Sequence, residues 1–513
     1  MPDSLTAKTV HGLKWSYVST VVSFVTQIGV TAVLARLVAP SAFGTVAMAG
    51  VFLSFGQYFA QLGVGQAVVQ RQVLSARDMR TAFTSSLLLG AAFCGLFVAL
   101  APLAAVLFPH TRGVVTIARV MSLTFVLGGL TATTQGLLQR RMAFRPIALT
   151  EISSYVLGYA VVGVALAIAG FGAWSLVIAA LVQGSLAAAT YTVLCRADIG
   201  FSLGAQSLKG LYSFGGRVSL IGFGEFIGSN LDTLWTGHYL GSQATGFYTR
   251  ATNLATVPLN YFVTSLSRVL LPAYSRIQSE RERLKSTYLA TITVFGAIIM
   301  PVSWGVAGAA HEIIFTLLGA RWAPAVPVLA ILALGAPLSL LEHFGAILSE
   351  ATATLNIKIV VTAGGIGVLA ILLVILARFG IVGIASAFAL SELAMHIAYL
   401  FVMRRLLALR LGELWRAHAV GLAAGAVTGL ALLGLHVGLT RLGWPAPAVL
   451  AVQLAVGTVC VLGTVVRARD GVVWREIRWR LVESGYKPDG RTTVAWLMRR
   501  IDSVTHGELP NAK

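Results

Sequence analysis

Three ionisable residues, Arg217, Glu225 and Asp232, stand inside one apolar stretch. At about 100° per residue, Glu225 falls roughly 80° from Arg217 and Asp232 roughly 60°, so all three fit one helical face. A charge at bilayer depth costs at least ~2.5 kcal/mol, so such groups face protein or water. Two arrangements meet that demand: a cavity wall on which Glu225 and Asp232 exchange an ion, or a buried structural ion-pair network. The next apolar stretch carries Arg250, Asn253, Asn260, Thr264 and Arg268, at gaps of 3, 7, 4 and 4 residues. Those gaps hold them on one stripe. Guanidinium and amide groups so placed suit phosphate oxygens and sugar hydroxyls, although Arg268 equally suits an anchor that reaches the inner interface.

Gln27 lies in a stripe with Ser16, Thr20, Ser23 and Thr31, and Gln57 in one with Ser54 and Gln61. These amides are further candidates for substrate contact, while small hydroxyl residues also serve helix packing. Glu392, one turn before His396, is a third ion-coupling candidate. A hydrogen bond between helices explains that pair equally well. No catalytic signature accompanies these residues. The chain has no P-loop, no Gly-x-Ser-x-Gly and no His-Glu-x-x-His. Cys94, Cys195 and Cys460 show no Cys-x-x-Cys spacing. The expectation is a protein that is not an enzyme and uses no metal or cofactor, driven by an ion gradient, the membrane potential or consumption of its cargo on the far side.

The elements that must position these residues follow from composition. Of 513 residues, 57% are hydrophobic and 11% charged, with a mean hydropathy of +0.82. A soluble domain carries about 25% charged residues. Apolar runs of about 20 residues recur along most of the chain, and about fourteen spans can be placed. The predicted fold class is therefore an all-α polytopic membrane protein. The net charge is +19, and 29 of the 38 Lys and Arg residues fall in alternate loops and the tail. By the positive-inside rule both termini are cytoplasmic. The first apolar stretch is too long for a signal-peptide core and leads straight into a second. The outward loops are short, which argues against a membrane glycan polymerase or ligase that would hold its acceptor there.

An internal repeat organises the spans. Ala35–Ala49 reads ARLVAPSAFGTVAMA, and Gly237–Ala251, offset by 202 residues, reads GHYLGSQATGFYTRA. Ala42 pairs with Ala244, Gly44 with Gly246 and Ala49 with Ala251. The predicted organisation is a six-helix half over 1–205, a second six-helix half over 206–410, two further helices over 411–466 and a basic tail over 467–513. Two halves imply a central cavity and alternating access by rocking. The tail alternates Trp474, Arg475, Arg478, Trp479 and Arg480, which suits short helices on the inner membrane surface rather than nucleic acid.

The stretch Gly12–Arg71 resembles the N-terminal part of bacterial Wzx-type polysaccharide flippases, in the polysaccharide transport branch of the multidrug/oligosaccharidyl-lipid/polysaccharide superfamily. Gly-Leu-Lys-Trp at 12–15, LARLVAP with the later Phe-Gly, and QLGVGQAVVQR carry the likeness, which is nearest to colanic-acid or lipopolysaccharide exporters. The resemblance implies a location in the bacterial cytoplasmic membrane. It also implies a cargo, an undecaprenyl-pyrophosphate-linked oligosaccharide moved from inner to outer leaflet. Membrane lipids are then partners, together with polymerases and glycosyltransferases of the same pathway. A cation-coupled drug or metabolite antiporter of the same superfamily is the main alternative. The family has no catalytic signature to carry over, so the site residues rest on helical faces alone.

Overall fold

The computed structural model describes residues 22–61, 64–71, 74–352 and 354–467. In chain order the helices begin with α1 (Val22–Leu37), α2 (Pro40–Gln61), α3 (Val64–Gln70), α4 (Ala76–Leu100), α5 (Leu103–Leu107), α6 (Val114–Met121) and α7 (Leu123–Arg140). Then come α8 (Phe144–Tyr155), a π-helical turn (Val156–Gly163), α9 (Val164–Ile168), α10 (Ala173–Leu194) and the long α11 (Ala205–Arg276). The remainder are α12 (Arg281–Gly308), α13 (Ala310–Ile313), α14 (Ala325–Ala351), α15 (Leu355–Leu376), α16 (Gly380–Leu407), α17 (Leu411–Arg441) and α18 (Ala446–Arg467).

Among the described residues no strand occurs, and nine helical stretches are long and apolar enough to cross a membrane. One of the nine, 357–407, joins α15 and α16 through a 3-10 turn at Ala377–Phe379. The other crossings expected from the sequence fall on α1, α2 and the two arms of α11. The protein is thus an all-helical, multi-pass membrane protein. The tail beyond residue 467 lies outside the described residues.

The chain forms two compact units. The first comprises residues 1–265, 310–336 and 359–395. Its core gathers Met48, Phe52, Phe97, Phe108 and Phe125 from α2, α4, α7 and the chain after α5. Glycines bring α4 and α7 into backbone contact: a Cβ on Gly90 would lie 2.4 Å from the Phe125 carbonyl oxygen, and one on Gly129 would lie 2.5 Å from that of Ser86. One end is tied by Arg140, which donates to the Val68 and Arg71 carbonyls, and by the Arg141–Asp198 ion pair.

The repeat detected in the sequence meets itself in this unit. Gly241, at φ 78°, breaks α11 and turns the chain back on itself. The two repeated turns then touch reciprocally. A Cβ on Gly44 would stand 1.7 Å from the Ser242 carbonyl oxygen, and one on Gly246 would stand 2.0 Å from that of Pro40. Pro40 and Ser242 are themselves partners under the same offset, so residue and counterpart exchange roles as across a two-fold axis. Trp322 covers this seam. It is fully buried, donates through Nε1 to the Ala35 carbonyl at 2.9 Å, and packs edge-on against Phe43 and Phe247.

The second unit comprises residues 266–309, 337–358 and 396–513. Apolar helices in lipid gain little from burial against one another, so close packing decides. Here α17 offers Gly421, Gly425 and Gly429 at four-residue spacing to α12. A Cβ on Gly421 would lie 2.6 Å from the Gly296 carbonyl oxygen, and one on Gly308 would lie 2.4 Å from that of Gly429. α18 adds Gln453, donating to the Leu432 carbonyl, and Thr464, donating to that of Ala297. Ion pairs in this unit join Arg283 with Glu280, Lys285 with Glu413 and Lys358 with Glu350.

Candidate functional site

A cavity of about 420 Å³ opens within the first unit. Its polar lining comes from four helices and the π turn: Gln27 and Thr31 of α1, Tyr155 at the end of α8, Tyr159 of the π turn, Gln183 of α10, and Arg250 and Asn253 of α11. Each pair on one helix is three or four residues apart, which sets both side chains on the same face. The π turn begins at Val156, directly after Tyr155, and π turns concentrate at functional sites. Its Gly158 allows α10 to come close: a Cβ there would lie 2.8 Å from the Ala179 carbonyl oxygen and 2.8 Å from the Gln183 Cβ. That approach is what delivers Gln183 to the lining. Tyr155 and Tyr159 stack with ring centroids 5.0 Å apart.

Among the described residues, Arg250 is the only charged residue of this lining. Its guanidinium lies over the Phe43 ring at 4.9 Å, and its Nε is buried with no hydrogen-bond partner. Among the described residues no carboxylate pairs with it. A cation–π contact supplies about 0.5–2 kcal/mol, well short of a counter-ion in a desolvated site. The cavity therefore holds a fixed positive charge with unused donors, beside two aromatic faces and three amides. Such a lining takes an anion together with a hydroxyl-rich ring.

The structure brings Gln27, Arg250 and Asn253 together around this cavity. Gln57, half-buried on α2, and Glu392, half-buried on α16, do not line it. Asp232 is also elsewhere, 3% exposed in a knot of neutral donors. Tyr248 Oη donates to Oδ2 at 2.6 Å, and the Thr233 backbone N–H donates to Oδ1 at 2.6 Å. The side chains of Arg217, Glu225, Asn260 and Arg268 lie outside the described residues. His396 meets His418 rather than a carboxylate, Nε2 to Nε2 at 3.2 Å. Tyr155, Tyr159 and Gln183 were not anticipated. Their signal was a tyrosine pair four residues apart beside a glycine, and one amide in an otherwise apolar run.

Fold and cavity together define a class, the polytopic helical membrane transporters. A solved structure described as the lipid II flippase MurJ in an inward closed conformation shares this fold, with a TM-score of 0.70 at 15% identity over 89% of this chain and 98% of that one. Residues 33–327 match the family described as polysaccharide biosynthesis protein. The succinoglycan biosynthesis transport protein ExoT of Rhizobium meliloti is 31% identical over 340 residues, 65% of this chain and 67% of that one. The lipopolysaccharide biosynthesis protein WzxC of Escherichia coli is 26% identical over 337 residues, 64% of this chain and 67% of that one. The chain belongs to the polysaccharide biosynthesis protein family.

Proposed function

We propose that this protein carries lipid-linked oligosaccharide repeat units from the inner to the outer leaflet of the bacterial cytoplasmic membrane, for surface or exopolysaccharide assembly. The observation that carries the reading is Arg250, a cavity-lining guanidinium without a counter-ion among the described residues. The relatives named for polysaccharide transport support it, and the MurJ-like fold is compatible with it. In this reading Arg250 holds pyrophosphate or an acidic sugar oxygen, with a planar fork that lysine lacks. Gln27, Gln183 and Asn253 bond to hydroxyls, and the tyrosine pair stacks on a sugar ring. The polyprenyl chain stays in lipid. Arg217, Asn260, Arg268 and Gln57 complete the path, with Glu225 and Glu392 as coupling candidates, while Asp232, expected from the sequence to couple an ion, serves the fold through Tyr248 and Thr233.

The proposed topology has fourteen spans, two six-helix halves plus two helices, with both termini cytoplasmic. Alternating access exposes the cavity to each leaflet in turn. A cation-selective drug antiporter would want a carboxylate in the cavity, and among the described residues none lines this one. The test is a strain lacking the gene, in which surface polymer and lipid-linked repeat units are quantified by leaflet. Loss of polymer with repeat units held on the cytoplasmic leaflet is the expected result. Repeat units reaching the outer leaflet unpolymerised would overturn it in favour of a polymerase or ligase.

A further inference from the structure

A carboxylate that the helical-face analysis passed over stands on the same stripe as the cavity tyrosines. Glu151 is the eighth residue of α8, about 10 Å along the helix from its inner end. It sits in a stretch, Phe144–Ile168, long and apolar enough to span the membrane. Tyr155 follows one turn later and Tyr159 one turn after that, and both line the cavity. The Glu151 side chain is exposed on the surface of its unit. Its one hydrogen bond is with a neutral group, the Gln135 amide, whose Nε2 donates to Oε1 at 3.3 Å.

Among the described residues, no surrounding element forms an ion pair with it. α8 packs against α7, α10 and the π turn. On α7, Arg140 is bonded to the Val68 and Arg71 carbonyls and Arg141 to Asp198. α10 contains no charged residue, and its Tyr191 hydroxyl, in electrostatic reach of Glu151, is buried without a hydrogen-bond partner. The π turn contributes Tyr159, and α8 itself contributes Tyr155 and Arg145, six residues before Glu151. An ionised carboxylate at this depth is costly unless water or a proton reaches it. The amide N–H turned toward it opposes a metal cation but tolerates a carboxyl that gains and loses a proton.

We propose that Glu151 is a proton-binding site that couples cargo movement to the proton gradient. This rests on the transport reading above. The carboxylate takes a proton from the outer side, becoming a neutral carboxylic acid, and releases it to the cytoplasm as the anionic cargo moves outward. Only a proton changes place; no bond of the cargo is made or broken.

Glu151→Gln is the decisive variant, because glutamine keeps an acceptor for the Gln135 amide while losing the titration. Glu151→Asp keeps the titration on a shorter stem. In the gene-deleted strain, Glu151→Gln at normal protein level should lower surface polymer by about fivefold to 150-fold, the usual span of a coupling energy. It should also flatten the dependence of export on external pH. Glu151→Asp should restore export with a displaced pH profile. Infrared titration of the reconstituted full-length protein supplies a cargo-independent readout. The wild type should gain a protonated-carboxyl band on acidification that Glu151→Gln lacks. Identical spectra, or full export with unchanged pH dependence in Glu151→Gln, would overturn the proposal. If the deletion strain traps no repeat units, the transport reading fails instead, while the infrared result still decides whether Glu151 titrates.

Discussion

Arg250 and Asp232 lie on the two arms of one long helix, both in apolar surroundings, and their neighbourhoods differ. The Asp232 carboxylate is taken up by neutral donors, Tyr248 and Thr233. Around Arg250 the neighbours are a phenyl ring, two tyrosines and amides, and its Nε is left without a partner. One charge is consumed by the fold, and the other is the one we propose meets the cargo. Intramembrane charge alone therefore does not mark a binding site; the proposal rests on a charge left without a counter-ion among the described residues. The second unit sharpens the contrast, since Lys285 and Lys358 each have an acidic partner.

The largest effect that would break this contrast is at Arg250. Arg250→Ala should remove about 1.5–3 kcal/mol of cargo binding, about 10- to 150-fold, with the melting temperature held. Arg250→Lys should fall between that and the wild type. Export assays beside thermal unfolding in detergent measure both quantities, and a variant that melts early but exports normally would reverse the assignment. Asp232→Ala should behave in the opposite way. It orphans the buried Tyr248 hydroxyl and costs about 1–3 kcal/mol of stability, read as a lower melting temperature, with little change in export from whatever protein survives.

Smaller effects refine the cavity. Tyr155→Ala and Tyr159→Ala should each weaken cargo binding by about 0.5–1.5 kcal/mol, from roughly twofold to tenfold, if their faces stack on a sugar. Binding of a pyrophosphate probe without sugar should be nearly indifferent to them, which a competition assay would reveal. At the low end, Glu350→Ala, which removes the half-exposed partner of Lys358, should change the melting temperature by the equivalent of ~1 kcal/mol or less.

Much of this was legible in the sequence. Hydropathy declared the helices, and the 202-residue offset anticipated two equivalent turns. Helical spacing placed Arg250 and Asn253 on one face. What spacing does not contain is the identity of the facing helix. Nothing in the run around Asp232 shows that Tyr248 returns across the Gly241 break to occupy it. Tyr155, Tyr159 and Glu151 share an ordinary four-residue spacing, but one carboxylate and two aromatics in an apolar run do not stand out as a polar stripe. Gln183 gained meaning only from Gly158, a residue on another helix.

The contact between Gly44 and Gly246 also constrains how this chain can vary. Each turn's carbonyl oxygen fills the volume that a side chain on the other would need. A methyl group at either position wedges both copies apart, and a second methyl at its counterpart offers no relief. The two positions have therefore lost the freedom to drift independently. The two repeated turns stay alike at these glycines, where each is the other's neighbour.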